Sequence, residues 1–456
     1  MATAMGAELK SGVRGETITE GDPAYDEARA VYNAMIVRRP HAVVRPVDED
    51  DVVTAVNYAR TNSLPVAVRG GGHSVPGFGT GDDAVVIDMS TMQKVEVDAG
   101  AKTARAQGGA TWGIFNDATH EHGLATTGGI ISTTGIGGLT VGGGIGYLAR
   151  GIGLACDNLV SAEVVTADAR RVTASESENE DLFWALRGGG GNFGVVTAFE
   201  YRLHPVEQVY GGPILYELGD AATVLKFYRD YIKDAPRELG GFPAWQIAPP
   251  LPFIPEDRHG EPFLIFVACW AGPVDQGEAA LAPFHEVAPV VAEMVGPMPY
   301  PAINSAFDAL VPAGLQHYWK ANFVKELTDA AIEAHLEHGP KVPAVNSTVH
   351  IYPINGAVQD VATDATAFAY RDANFATVIA GMWPDPADND ANIGWVRGFS
   401  DATAPLSEEG GYINFMSEDD QGRIRANYKG NYDRLVEIKR KYDPDNTFRV
   451  NQNIRP

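Results

Sequence analysis

RGGGHS, Arg69 to Ser74, is the stretch on which the rest of the chain hangs. The consecutive glycines Gly70, Gly71 and Gly72 leave bare backbone directly before His73. A large flat ligand can lie against such a main chain while the imidazole reaches its edge, and a flavin has that shape. Taken alone, glycine runs mostly mark turns, and a histidine behind one is more often a surface or satisfied core residue. The flanking segments decide. Upstream, Ala42 to Val47 reads as a strand, and the acidic run Asp48 to Asp51 caps a helix from Val52 to about Asn62 with apolar Val52, Val53, Val56 and Ala59. Val66 to Val68 is the next strand and ends in the glycines. A loop at the carboxyl end of a strand, in a strand, helix, strand unit, is where open α/β sheets place ligands.

Downstream, short strands are expected at Ala84 to Met89, Lys94 to Val97 and Thr103 to Gln107, then GGATWG (Gly108 to Gly113), with Thr111 as N-cap of a helix through His122. From Thr126 to Asn158 the chain is dense in glycine: TTGGIISTTGIGGLTVGGGIGYLARGIGLACDN. Such a run supplies backbone N–H groups and close approach for a phosphate-bearing cofactor. Ile130, Ile131, Leu139, Val141, Ile145 and Leu148 make it too apolar for a linker. Its candidate cofactor contacts are Gly128, Gly129, Ser132, Thr133, Thr134, Gly135, Gly137, Gly138, Gly144, Gly146 and Asn158. Ser161 to Thr166 reads as a strand, Asn179 to Leu186 as a helix, and Arg187 to Leu203 as a glycine loop feeding a strand, with Gly194, Val195 and Val196 as further candidates. Gly189, Gly191 and Gly194 fit GxGxxG, but a helix precedes them and a strand follows, the reverse of a dinucleotide-binding turn.

Past Pro205 the texture changes: proline becomes frequent, glycine runs stop, and strands such as Phe263 to Trp270 and Ser347 to Tyr352 alternate with helices such as Thr328 to His338. A chain of 456 residues exceeds one ordinary core, so a second domain with antiparallel strands is expected. Near the end, Tyr412 to Met416 (YINFM) reads as a strand, Asn431 to Tyr442 as a helix, and NTFRVNQNI sets the amides Asn451, Gln452 and Asn453 in a row, suited to a ring edge carrying donors and acceptors.

The formal charge of -24 argues against nucleic acid and anionic membrane surfaces, which demand clustered Lys and Arg. Only Cys156 and Cys269 are present, which excludes a disulfide framework and suits a reducing compartment. With no apolar run at its start and no 18-residue apolar stretch, the chain is expected to be a soluble cytoplasmic protein. Its oligomeric state, monomer or dimer, is open.

VRGGGHS, GGATWG, GIGGLTVGGGIGY, GLACDNL, FWALRGGGGNFGVVT, YWKANF, YIN and YDPDNTFRVNQNI together resemble the berberine bridge enzyme-like flavoproteins of the vanillyl-alcohol oxidase superfamily, over nearly the whole chain. The resemblance implies an α+β protein with a PCMH-type, two-subdomain FAD-binding domain at 1–207 (core about 38–207). A substrate domain, an antiparallel sheet backed by helices, would span 208–414, and 415–456 would return to the FAD domain. It implies covalent attachment of FAD through His73, which should raise the flavin's reduction potential. Many relatives add a cysteine link, but that position here is Ile131, so one link is expected, as in the bacterial branch that includes 6-hydroxy-D-nicotine oxidase. Cys156 lies in a different motif and reads as a buried apolar residue. The resemblance places NQN beside the flavin ring and Thr134 at the position that gates oxygen.

The activity implied is an FAD-dependent oxidase taking hydride from a C–H beside an alcohol or amine of a small molecule and passing electrons to O2, giving H2O2. A flavin dehydrogenase with another acceptor and a non-catalytic flavin carrier are the alternatives. Oxidation of an alcohol needs a base, and the YxN pattern offers Tyr412 with Asn414. His350 and Tyr352 alternate onto one face of a strand, making His350 a second candidate base or substrate ligand. Trp319 and Lys320, in HYWKANF, are candidate substrate contacts, Lys320 toward an anion or carbonyl. His120 with His122 and His335 with His338 mimic metal spacing without a third ligand, so no metal is expected.

Overall fold

The computed structural model describes residues 8–456; residues 1–7 lie outside them. A four-stranded sheet is built from β1 (Glu16–Thr19), β2 (Ala42–Arg45), β3 (Val66–Arg69) and β4 (Val85–Asp88) in the order β1-β2-β4-β3. Strands β2 and β3 run parallel to β4, and β1 runs antiparallel to β2. The crossover from β2 to β3 is α1 (Glu49–Thr61), which buries Val52, Ala55, Val56 and Ala59. It starts earlier than its apolar periodicity suggests, because Asp48 is the cap: its carboxylate accepts from the backbone N–H of Asp50 and Asp51. Asp51 is instead buried and accepts from the backbone of Arg14, Gly15 and Val47, tying the leading strand to this helix.

The next stretch supplies β5 (Val95–Asp98), β6 (Thr103–Gln107), β7 (Leu124–Ala125), β8 (Leu159–Val165), β9 (Arg171–Ser175), β10 (Val195–Arg202) and β11 (His204–Pro205). Five of them form an antiparallel sheet, β5-β6-β10-β8-β9, while β7 and β11 pair with each other. Thr111 caps α2 (Trp112–His120), its hydroxyl accepting from the N–H of Ile114. The glycine-dense run folds as irregular loops around α3 (Ile136–Val141), and α4 (Glu180–Leu186) precedes the second glycine loop.

The third layer is an eight-stranded antiparallel sheet of β12 (Gln208–Tyr216), β13 (Phe242–Ile247), β14 (Pro262–Trp270), β15 (Val290–Glu293), β16 (Gly296–Pro299), β17 (Gln316–Val324), β18 (Thr348–Pro353) and β19 (Phe375–Trp383). The order is β15-β12-β14-β13-β18-β19-β17, with β16 also on β12. Side chains alternate between its faces. Trp245, Phe266, Val349, Ile351 and Ile379 pack under α5 (Ala221–Asp234), α6 (Gly277–Glu286), α7 (Asp329–His338) and α8 (Asn389–Thr403). Phe242, Ala244, Val267, Tyr352, Val378 and Ala380 face the other way, toward Ile145, Tyr147 and Tyr412.

YINFM is not a strand. Residues Ile413–Phe415 form a 3-10 turn closed by the Phe415 N–H to the Tyr412 carbonyl. The strand edge of β17 is met earlier, where Phe323 exchanges backbone hydrogen bonds with Glu408 and Gly410, and the chain then turns inward. After α9 (Tyr432–Tyr442), the last residues return to the first two layers: the carbonyl of Thr447 accepts from the N–H of Val66 at 3.0 Å, and Phe448 and Ile454 are buried in the two cores.

Candidate active site

A cavity of about 340 Å³ lies where the three layers meet. One wall is bare backbone: Gly70 to Gly72 after β3, Gly129, Gly135, Gly137 and Gly138 around the start of α3, and Gly190, Gly191 and Gly194 before β10. Some of these glycines serve packing, since a Cβ on Gly71 would sit 2.4 Å from the Gly135 nitrogen. Others do not: a Cβ on Gly138 or Gly191 meets nothing within 4 Å, so their bareness keeps space in the cavity rather than between protein segments. A ligand that lies flat on main chain fits that wall. At its rim Asn451 Oδ1 and Gln452 Nε2 are buried without partners, ready for a ring edge with donors and acceptors.

His73 enters this wall from Gly72, whose φ of +74° suits glycine. Its Nε2 lies 3.0 Å from Thr133 Oγ1, its Nδ1 3.4 Å from Thr134 Oγ1, and its ring stacks on Tyr32 at 3.7 Å. The imidazole is held down to about 3 by loss of hydration and by the neighbouring His317. It is neutral at physiological pH. Arg69 is fully engaged, donating to the carbonyls of Ala28 and Ala30 and pairing with Asp88.

Tyr412 is buried, and its phenolic oxygen accepts from Gly144 N–H at 2.8 Å, Ile145 N–H at 3.3 Å and Asn414 Nδ2 at 2.9 Å. Burial pushes its pKa up to about 12, against the pull of those donors. Asn414 is aimed by a second bond to the Leu139 carbonyl. Across the cavity, His350 Nδ1 and the Tyr352 hydroxyl are 2.6 Å apart on β18. Burial holds His350 down to about 3, so it too is neutral. The β-sheet register sets Gln246, Thr348, Ala380 and Trp319 in one line across β13, β18, β19 and β17, all on the cavity wall.

Lys320 corrects an expectation. It neighbours Trp319 on β17 and therefore points to the opposite face, where it pairs with Asp419 at 2.7 Å and Asp420 at 2.9 Å. Ser74, Ile131, Thr134 and Val196 line the cavity; Gly128, Ser132, Thr133, Gly144, Gly146, Asn158, Val195 and Asn453 stand behind the lining. Gly128 and Gly146 pack backbone to backbone, Ser132 binds Asp308 of the sheet half through its N–H at 2.9 Å, and Asn158 holds the carbonyls of Ile152 and Leu154. Cys156 is fully buried, and burial raises its thiol pKa. Among the described residues no group of three or more His, Cys, Asp or Glu could hold a metal ion, and no helix is long and apolar enough to cross a membrane. Sequence reasoning missed Tyr32, Phe242, Gln246, Thr348 and Phe415; strand alternation places Phe242, Gln246 and Thr348 on a face only once a register is known.

A family model described as "FAD binding domain" matches residues 40–175, and one described as "Berberine and berberine like" matches residues 411–455. The chain is 32% identical over 461 residues to the uncharacterized FAD-linked oxidoreductase YgaK of Bacillus subtilis, covering 98% of each. It is 30% identical to the (R)-6-hydroxynicotine oxidase of Paenarthrobacter nicotinovorans, covering 97% of each. The solved 6-hydroxy-D-nicotine oxidase of Arthrobacter nicotinovorans superposes with a TM-score of 0.85 at 26% identity, over 97% of this chain and 98% of that one. The fold and its cavity are thus those of an FAD-linked oxidoreductase. The chain belongs to the berberine bridge enzyme-like family of these enzymes.

Proposed function

We propose that the protein oxidises a C–H beside a small-molecule alcohol or amine, with FAD held by a single covalent bond from His73 and O2 as the final acceptor, giving H2O2. FAD, when bound, supplies the two-electron acceptor for the hydride. The remaining work falls to the chain. The observation that carries the reading is the Tyr412 oxygen at the cavity wall: three N–H groups donate to it, and among the described residues none accepts from its hydroxyl. Such a cradle favours an oxyanion, which suits a base that removes an alcohol proton. Asn414 aims that oxygen. His350, neutral and fixed by Tyr352, is the alternative base or a substrate ligand, and Trp319 and Tyr352 are substrate contacts.

His73, held neutral, carries a lone pair on one ring nitrogen for bonding to the cofactor. Ile131 stands at the wall where a second, cysteine link would form, and Cys156 lies behind it with its thiol protonated. Residues 1–207 and 415–456 hold the cofactor and 208–414 roof the substrate, in a soluble protein of the cytoplasm. Acid-precipitated protein should stay yellow, and His73→Ala should release its flavin on precipitation. Reduced protein should reoxidise quickly in air with H2O2 release. Slow reaction with air and rapid reaction with a quinone would make it a dehydrogenase.

A further inference from the structure

The geometry points to an uncharged, largely apolar aromatic carbinol as the substrate, to the exclusion of sugars and of charged amines; this rests on the oxidation reading above. The half of the cavity under the eight-stranded sheet is walled by Phe242, Phe415, Trp319, Val378, Met382 and Leu310. Among the described residues no Asp, Glu or Lys lines the cavity, and the one arginine that does, Arg69, is bound to Asp88 and two carbonyls. An ammonium or carboxylate group entering here leaves water without meeting an opposite charge.

Three polar side chains of the roof are tied to the protein through one bond each. Gln246 Nε2 donates to the Val345 carbonyl at 3.2 Å, Asn346 Nδ2 to Leu310 at 2.7 Å and Thr348 Oγ1 to Trp245 at 3.1 Å. Trp319 Nε1 is free of such ties among the described residues, as is His350 Nε2, whose other ring nitrogen is anchored on Tyr352. A sugar's hydroxyls would fall mostly on Phe242, Phe415, Val378, Met382 and Leu310, and each unmatched one is desolvated without return. An aromatic carbinol instead presents ring faces to Phe242, Tyr352 and Phe415, which already pack on one another, tilted and stacked, with ring centroids 4.6 Å and 5.8 Å apart. Its hydroxyl meets Tyr412, and one neutral ring substituent meets His350 Nε2. In the reaction the Tyr412 phenolate would take the O–H proton and the C–H hydrogen would leave with its bonding pair as hydride while the C=O bond forms; FAD, when bound, would supply the acceptor for that hydride, and O2 would be reduced to H2O2 by it together with the proton released from Tyr412.

The test is anaerobic mixing of holoenzyme with 4-methoxybenzyl alcohol, 4-(hydroxymethyl)benzoate, 4-(aminomethyl)benzyl alcohol and cellobiose, following flavin bleaching. The neutral aromatic alcohol should exceed the others in second-order reduction rate by at least about 100-fold. A faster charged member or cellobiose overturns the proposal. Binding of 4-methoxybenzaldehyde, read as a shift of the oxidised flavin spectrum, separates the two levels. If it binds and cellobiose and the charged compounds do not, yet nothing bleaches, the cavity preference stands and the oxidation reading falls. If it neither binds nor its alcohol reduces the flavin, the substrate class is wrong.

Discussion

At the scale of single residues, the Tyr412 oxygen is the atom around which the cavity's chemistry turns. A phenol has one proton to donate, yet what surrounds this one are the N–H groups of Gly144, Ile145 and Asn414. Removing the oxygen while keeping the ring isolates its role. Tyr412→Phe should retain FAD but lose about 10²- to 10⁴-fold in the rate at which an alcohol reduces the flavin, the usual worth of a positioned base. The pH profile adds a second readout. With the phenol pushed up to about 12 by burial, the anionic fraction grows tenfold per pH unit throughout the neutral and alkaline range. Flavin reduction should therefore keep rising from pH 7 to 10, and the Phe variant should be flat. A flat profile in the parent enzyme, or a variant within a few-fold of it, would move the base to His350.

At the scale of elements, the last helix and the chain end form one unit with the second glycine loop. Lys439 on α9 is fully buried; its ammonium pairs with Asp443 at 2.6 Å and donates to the carbonyls of Asn192 and Phe448. Asp443 in turn accepts from the N–H groups of Thr447 and Phe448. Asp443→Asn leaves a buried ammonium without its counter-charge, and should cost about 3–5 kcal/mol in denaturant unfolding. Because the same unit positions Asn451 and Gln452, deleting residues 447–456 should also lower the flavin-to-protein ratio; a truncated protein with full flavin content would detach the tail from the site. Thr111, an N-cap by its place before the helix, keeps that role in the structure, while the helix expected from Thr328 starts one residue later with Thr328 as its cap. The glycine wall was legible for a local reason: bare backbone needs glycine. The roof was not. Gln246, Trp319, Thr348 and Ala380 share one line only through sheet register, to which positions so far apart in the chain give no local clue. YINFM has a strand's alternation, but Tyr412 and Asn414 both reach the glycine loops, and a turn is what lets residues two apart converge.

At the scale of the whole molecule, the halves are riveted by buried cations: Arg150, from the glycine-dense run, donates to the carbonyls of Ile232, Ala235, Pro236 and Leu239 at the end of α5 and to Asn355. Arg371 donates to both carboxylate oxygens of Asp157, each at 2.7 Å. Arginine keeps its charge across ordinary pH, so acid sensitivity must begin elsewhere. Burial holds His317 and His335 down to about 4, against an ordinary value of 6.5. Each is neutral in the folded protein and binds a proton more readily once unfolded. The stability this represents is complete above pH 6.5 and is lost as the pH falls toward about 4. By pH 5 the loss is about 2 kcal/mol for each residue. Carboxylates with lowered values, such as Asp88, contribute only below the ordinary 3.8, so the window between 6.5 and 4 belongs to the histidines. His335 is the cleaner probe because it sits on α7 against Phe399, outside the cavity, with Nδ1 unpartnered. His335→Phe removes its titration while keeping a ring in that place. The free energy of unfolding of the parent should fall between pH 7 and pH 5, and the variant should fall by about 2 kcal/mol less over the same interval. Parallel curves for the two proteins would show that His335 is protonated alike in the folded and unfolded chain.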